Sequence, residues 1–135
     1  MNFKSLLFAL FMGLGSLVFA QLTITTNLRE DGVFNEKQLK WEITKTTPGL
    51  TVFNFNRDLT SFRHITGSLS STYYILDWEY DEDEILYDMI IVSDADNEYD
   101  FMIDGINELV IFFYYDDYGR YCMVRHHIQD SYYDQ

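Results

Sequence analysis

Apolar and polar residues alternate with a period of two along most of the sequence after residue 20, and turn residues separate the alternating segments. In the clearest segment, Tyr74 and Trp78 fall on one side of an extended chain, and Asp77 falls on the other. Successive side chains of a β-strand point to opposite faces, so this pattern predicts strands with one buried and one solvated face. The segment 109–115 is apolar throughout, which predicts a strand covered on both faces.

The turn residues lie about ten positions apart, which divides the sequence into eight or nine short strands. Pro48-Gly49 predicts a tight turn that closes a hairpin, and Asp104-Gly105 begins another turn. Parallel strands need long crossover connections, which such short links cannot supply. We therefore predict an all-β fold, an antiparallel meander of about eight strands that forms a small barrel or a strongly curved sheet.

The N-terminus has the composition of an export signal, with Lys4 followed by an apolar run over residues 6–19. This run is shorter than the roughly 20 residues that span a bilayer, and no basic stop-transfer flank follows it. We expect cleavage before Gln21, which leaves no transmembrane anchor and gives an exported protein, either periplasmic or extracellular. The predicted organisation is a signal peptide at 1–20, a single all-β domain at 21–128 and a polar C-terminal tail at 129–135.

The charge distribution is strongly acidic and uneven, with a net charge of −13. No Lys or Arg lies between Arg63 and Arg120, whereas acidic residues are frequent there. Such a charge repels nucleic acid phosphates and anionic lipids, so we expect no nucleic acid partner. Basic proteins and cations are favoured, although an acidic surface also serves solubility alone.

One acidic segment has the alternate spacing that could converge on a hard cation such as calcium. Its carboxylates are Asp94, Asp96, Glu98 and Asp100. The segment does not fit an EF-hand, because Tyr99 stands where that loop requires Gly and Gly105 stands where it requires Glu. If the segment is a strand, the same spacing makes a solvated face. We therefore expect no cofactor other than calcium, which these carboxylates could bind.

Histidine and cysteine give no recognised catalytic or zinc motif. Neighbouring strand residues point to opposite faces, so His126 and His127 should not share a ligand, while His126 shares a face with Cys122. Cys122, His126 and His64 could meet in the fold if their strands were neighbours. Cys122 has no second cysteine to pair with and is expected to be a small buried residue. We therefore expect no enzymatic activity.

The segment Val18-Phe19-Ala20-Gln21, the aromatic run at 71–75 and the acidic composition resemble small uncharacterised exported β-proteins of Bacteroidetes. That resemblance implies an exported β-domain and no particular activity. The predicted meander is also similar to lipocalin-type barrels in strand count. This second likeness does not extend to the family's Gly-x-Trp, because Leu39 and Lys40 precede Trp41.

The function predicted from the sequence is a non-enzymatic, exported binding module with an aromatic-lined hollow or sheet face for a small ligand. The aromatic content exceeds what one-sided burial requires, which favours such a surface. The candidate ligand-binding residues are Tyr74, Trp78, Tyr99 and Phe101. The alternative is an acidic, envelope-associated interaction protein that binds a basic partner or calcium.

Overall fold

A computed structural model describes residues 21–134, which form eight β-strands. The predicted signal peptide at 1–20 and Gln135 lie outside the described residues. The strands are β1 (Gln21–Asn35), β2 (Lys40–Phe55), β3 (Ser61–Thr66), β4 (Leu69–Asp81), β5 (Leu86–Ser93), β6 (Glu98–Asp104), β7 (Leu109–Tyr115) and β8 (Tyr121–Asp134).

The strands form one antiparallel meander that closes into a barrel. Each strand pairs with the next, and β8 returns to pair with β1, so Leu22 lies between Phe55 of β2 and Tyr133 of β8. The prediction of an all-β antiparallel meander is confirmed, and closure gives every strand two neighbours. Within residues 21–134, no helix is long and apolar enough to span a membrane.

Large aromatic side chains fill the barrel interior. Phe53, Phe55, Phe62 and Phe101 are completely or almost completely buried and contact one another through their rings. Aliphatic side chains from the inward faces of the other strands complete the core. An eight-stranded barrel is just wide enough for side chains to fill, or to leave room for one small ligand.

The two ends of the barrel differ in their packing. At the end bearing the turns at 56–60, 82–85 and 105–108, Leu59 is buried and joins the hydrophobic core. At the opposite end, which we call the open end, Tyr99 and Tyr114 lie close to the turns 94–97 and 116–120 and remain partly exposed. The interior is therefore accessible from the open end.

The predicted turn at Pro48-Gly49 is wrong, because both residues lie within the long strand β2, where Pro48 pairs with Leu28. β2 pairs with β3 only from Thr51 onward, so its earlier part has one free edge. A proline without an N–H is tolerated at a strand edge. Gly49 has a φ of +142°, a conformation that glycine adopts without strain.

The predicted common face of Tyr74 and Trp78 is also wrong. Tyr74 pairs with Val92 and Trp78 with Met89, but the register shifts between Ile75 and Asp77. A β-bulge adds one residue to its strand and so reverses the alternation beyond it. The sequence period alone does not reveal this shift.

The C-terminal segment is not a separate tail. β8 continues to Asp134, which pairs with Gln21, and Ser131 is fully buried within this stretch. Tyr133 packs against the hydrophobic core. The sequence is polar here, but pairing with β1 and burial of alternate residues extend the domain beyond Ile128.

Candidate functional site

A cavity of about 260 Å³ opens at the open end of the barrel. We call it the barrel cavity. Six of its lining side chains are aromatic or imidazole rings: His64, Tyr73, Tyr99, Phe112, Tyr114 and His126. Arg29 and Val124 complete the lining.

The two histidines come from strands that are not neighbours. His64 lies on β3 and His126 on β8, and their ring centroids are 5.8 Å apart across the interior. Phe53 lies beside both, with its ring centroid 5.1 Å from that of His64 and 5.2 Å from that of His126. Barrel closure brings these inward faces together.

His126 is only 1% exposed, and neither Nδ1 nor Nε2 has a hydrogen-bond partner among residues 21–134. Within the same range, Nε2 of His64 is likewise buried without a partner. Buried polar atoms in folded proteins are nearly always hydrogen-bonded, so three such nitrogens beside one cavity require an explanation.

Both cavity imidazoles are neutral at physiological pH. Burial, the largest cause, together with nearby His64 and Arg29, lowers the pKa of His126 to about 3. Burial and then the Arg29 charge lower the pKa of His64 to about 4. A neutral imidazole carries one N–H donor and one lone-pair acceptor, so each ring combines both functions.

Arg29 reaches the cavity because a register shift separates Thr26 from Leu28. Beyond this shift Arg29 pairs with His126, on the inward-facing side of the sheet. Its Nε and Nη2 donate to Oδ1 of Asp31 at 3.1 and 2.9 Å. This ion pair offsets part of the guanidinium charge, which still acts on both imidazoles.

Three tyrosines add ring surface and hydroxyl groups. The ring of Tyr73 stacks on Phe62 at 5.1 Å, and Tyr99 meets Tyr73 edge-on at 6.0 Å. Tyr114 meets Tyr99 at 5.9 Å. Burial raises the pKa of Tyr73 and of Tyr114, so both phenols stay protonated at neutral pH and can donate hydrogen bonds.

Acidic residues lie beside the cavity at the open end. Glu98, Asp116 and Asp117 line a second depression that shares Tyr99 and Tyr114 with the barrel cavity. The carboxylate of Asp116 accepts a hydrogen bond from Nε of Arg120 at 2.8 Å. Backbone and side-chain hydrogen bonds from Arg120 hold the pKa of Asp116 below its usual value. We call these three residues the acidic rim.

The four predicted ligand-binding residues are not brought together. Tyr99 lines the barrel cavity, and Phe101 is buried below it with its ring centroid 4.9 Å from that of Phe112. Tyr74 and Trp78 remain 50% and 43% exposed, and neither lines the barrel cavity. The β4 bulge accounts for their separation.

The sequence analysis missed Arg29, Tyr73 and Tyr114 as lining residues. Alternation did not reveal the two tyrosines, because Tyr114 lies in the uniformly apolar segment 109–115 and Tyr73 falls on the same side of its segment as Asp77. No local pattern indicated that His64 and His126 meet across the barrel. Their proximity depends on closure between distant strands.

His127 faces away from His126, as the sequence predicted. Its Nε2 contacts Oε1 of Glu30, which also accepts from Nε of Arg125 at 2.9 Å. Hydrogen bonds from Arg125 and then from His127 lower the pKa of Glu30. These three residues form a hydrogen-bonded cluster, with an ion pair between Arg125 and Glu30, separate from the cavity lining.

The candidate calcium carboxylates are divided between a turn and a strand. Asp94 and Asp96 lie in the turn after β5, whereas Glu98 and Asp100 lie on β6. In the part of the chain that the structure describes, no three His, Cys, Asp or Glu side chains are grouped to hold a metal ion. Cys122 is a free, buried thiol, as expected.

Comparisons with protein-family models, with curated proteins and with solved structures find no match to this chain.

Proposed function

We propose that this protein is an exported, non-enzymatic binding protein that holds a small organic ligand in the barrel cavity. The observation that carries the proposal is His126, a buried side chain whose two nitrogens have no partner among residues 21–134. Leaving a buried polar group unsatisfied costs about 1–3 kcal/mol. A ligand that hydrogen-bonds to the imidazole would recover this cost on binding.

The size of the cavity supports a small organic ligand. An apolar cavity of about 150 Å³ is enough to hold benzene. The barrel cavity measures about 260 Å³ and is lined mainly by rings, with imidazole, phenol and guanidinium groups at a few positions. Concave, ring-lined sites with a few polar groups are typical of small-molecule binding.

The placement of Cys122 favours binding over nucleophilic catalysis. Its thiol lies 3.7 Å from the Asp116 carboxylate and 3.5 Å from the Arg120 carbonyl. Burial and the Asp116 charge raise the pKa of this thiol, which opposes formation of the reactive thiolate. A cysteine nucleophile needs an activating base, and neither contact provides an imidazole.

The proposal is tested by native mass spectrometry of the protein purified without denaturation from the cells that make it. We expect an organic mass on the wild-type protein, and a mature chain that begins at Gln21 if the signal is cleaved. The variant Val124→Phe places a ring into the cavity and should lose the organic mass. Tyr74→Phe, outside the cavity, should retain it.

The bare polypeptide mass in the wild type would count against the proposal if a fragment screen by NMR also gave the same spectra for wild type and Val124→Phe. An organic mass retained equally by all three proteins would show that a ligand binds outside the barrel cavity. Either result would refute the assignment of the site.

A second candidate function is binding of a basic partner at an acidic groove on the outside of the barrel. Pairing places Asp77 and Asp100 on either side of Ile90, and Glu79 opposite Asp88. These carboxylates line a shallow depression next to Trp78. Titration with a lysine-rich peptide tests this function. Binding should weaken as salt rises and weaken further in Asp88→Asn, while salt-independent binding would refute it.

A further inference from the structure

We infer that the ligand of the barrel cavity is an uncharged heteroaromatic molecule with a hydrogen-bond donor and an acceptor on one edge. His126 and His64 would form hydrogen bonds with that edge of the ligand. This inference rests on the proposed function and specifies its ligand class.

The charges around the cavity favour an uncharged ligand. The two imidazoles are neutral, and the only cationic side chain that lines the cavity in the described chain, Arg29, is ion-paired with Asp31. An anion would lie near the carboxylates of Glu98 and Asp117, which line the adjoining depression. A cation would face the Arg29 guanidinium, whose charge the ion pair with Asp31 only partly offsets. Burying an unpaired charge carries a large desolvation cost, whereas an uncharged molecule avoids it.

The shape and chemistry of the lining favour an aromatic ring. Tyr73, Tyr99 and Phe112 meet one another at centroid separations of 5.5–6.0 Å and present ring faces and edges to the cavity. Aromatic rings pack favourably in offset or edge-to-face contacts over such distances. The volume exceeds that required for benzene, so a two-ring molecule fits the available space.

The imidazoles favour a ligand edge that both donates and accepts hydrogen bonds. In either neutral tautomer, one nitrogen of His126 donates and the other accepts. The Nε2 atom of His64, also without a partner in residues 21–134, belongs to a ring 5.8 Å away. A ligand with one donor and one acceptor on the same edge can bond to both histidines. A hydrocarbon would leave all three nitrogens unsatisfied.

Three bicyclic probes of similar size test this inference: naphthalene, indole and benzimidazole. Naphthalene has no conventional hydrogen-bonding group, indole has a donor, and benzimidazole has a donor and an acceptor. Their binding is measured by ligand-observed NMR titration at pH 7.5, where all three probes are uncharged. We expect benzimidazole to bind about tenfold more tightly than indole, because one additional hydrogen bond reaches a buried partner. Naphthalene should bind least tightly.

The variants His126→Phe and His64→Phe keep a ring of similar shape and remove the polar atoms. Each should reduce the preference for benzimidazole over naphthalene by about tenfold. Tyr74→Phe is the control outside the cavity and should keep the wild-type preference. A circular dichroism spectrum and a thermal transition for each variant verify folding before titration.

Equal affinity for the three probes, or a preference that survives both histidine substitutions, would overturn the inference and leave the proposed binding function intact. Tighter binding of glucose than of benzimidazole would also overturn it in favour of a polyol. If no probe binds but the purified protein retains an organic mass that Val124→Phe loses, only the ligand class is wrong. If no mass is retained and no probe binds, both proposals fail.

Discussion

Replacing His126 with Phe should make the ligand-free protein less sensitive to acid. In an unfolded chain a histidine has a pKa near 6.5, whereas in the folded barrel burial lowers the pKa of His126 to about 3. Between these values the unfolded chain binds a proton that the native protein excludes. The free energy of unfolding must therefore fall as the pH decreases from about 6.5 towards 3.

The size of this fall in the free energy of unfolding depends only on the pKa of His126 in the unfolded chain, provided that its pKa in the folded protein lies well below the test pH. At pH 5, about 1.5 units below the unfolded value, the contribution of His126 is about 2 kcal/mol, since one unit corresponds to about 1.4 kcal/mol. At pH 7 it is close to zero. The wild type should thus lose about 2 kcal/mol more than His126→Phe between pH 7 and pH 5. The variant should also be more stable at pH 7 by about 1–3 kcal/mol, because Phe removes the unsatisfied nitrogens.

Urea unfolding followed by tryptophan fluorescence at pH 7 and pH 5 measures both effects. Tyr114→Phe is a matched control, because it lines the same cavity and its hydroxyl does not titrate in this range. It should lose as much stability as the wild type over the two pH units. An identical loss in His126→Phe would refute the reasoning, since it would mean that the imidazole takes up its proton equally well in the folded state.

Three further predictions concern stability, each measured by urea unfolding. Phe53→Ala should cost about 3–5 kcal/mol, because this buried ring packs among the central aromatic residues, and a loss below about 1 kcal/mol would contradict that packing. Glu79→Lys should add about 0.5 kcal/mol at low salt by removing repulsion from Asp88 on the next strand, and a gain unchanged in high salt would exclude this cause. Leu39→Gly should add about 0.5–1 kcal/mol, because Leu39 has a φ of +53° and is 76% exposed; destabilisation would show that its contacts outweigh the strain.

The strands were predictable because the alternation of apolar and polar residues is a local property of the sequence. In β6, Tyr99, Phe101 and Ile103 occupy alternate positions, with Glu98, Asp100 and Asp104 on the other face, and all three pack in or against the core. The errors came from features that act across strands. Pro48 is tolerated within β2 because β3 does not pair with that part of the strand. Tyr74 and Trp78 lie on different faces of β4 because a β-bulge falls between them.

The candidate site was only partly predictable. Tyr99 was identified from its position in an alternating aromatic segment, and the opposite orientations of His126 and His127 follow from the pleat of a strand. The meeting of His64 and His126 could not be deduced, since it needs the full path of the barrel between β3 and β8. Arg29 was missed because a register shift after Thr26 sets its face.

The sequence by itself determined that the chain forms a short-looped, antiparallel, acidic β-domain with an aromatic core, because alternation, turn residues and charge are local properties. The tertiary structure determined which aromatic rings line the cavity and which pack against one another in the core. Closure of β8 onto β1 sets the diameter of the barrel, and the register shifts set which side chains face inward. The neutral state of His126 also depends on the fold, since burial among side chains from several strands excludes the water that would stabilise its charge.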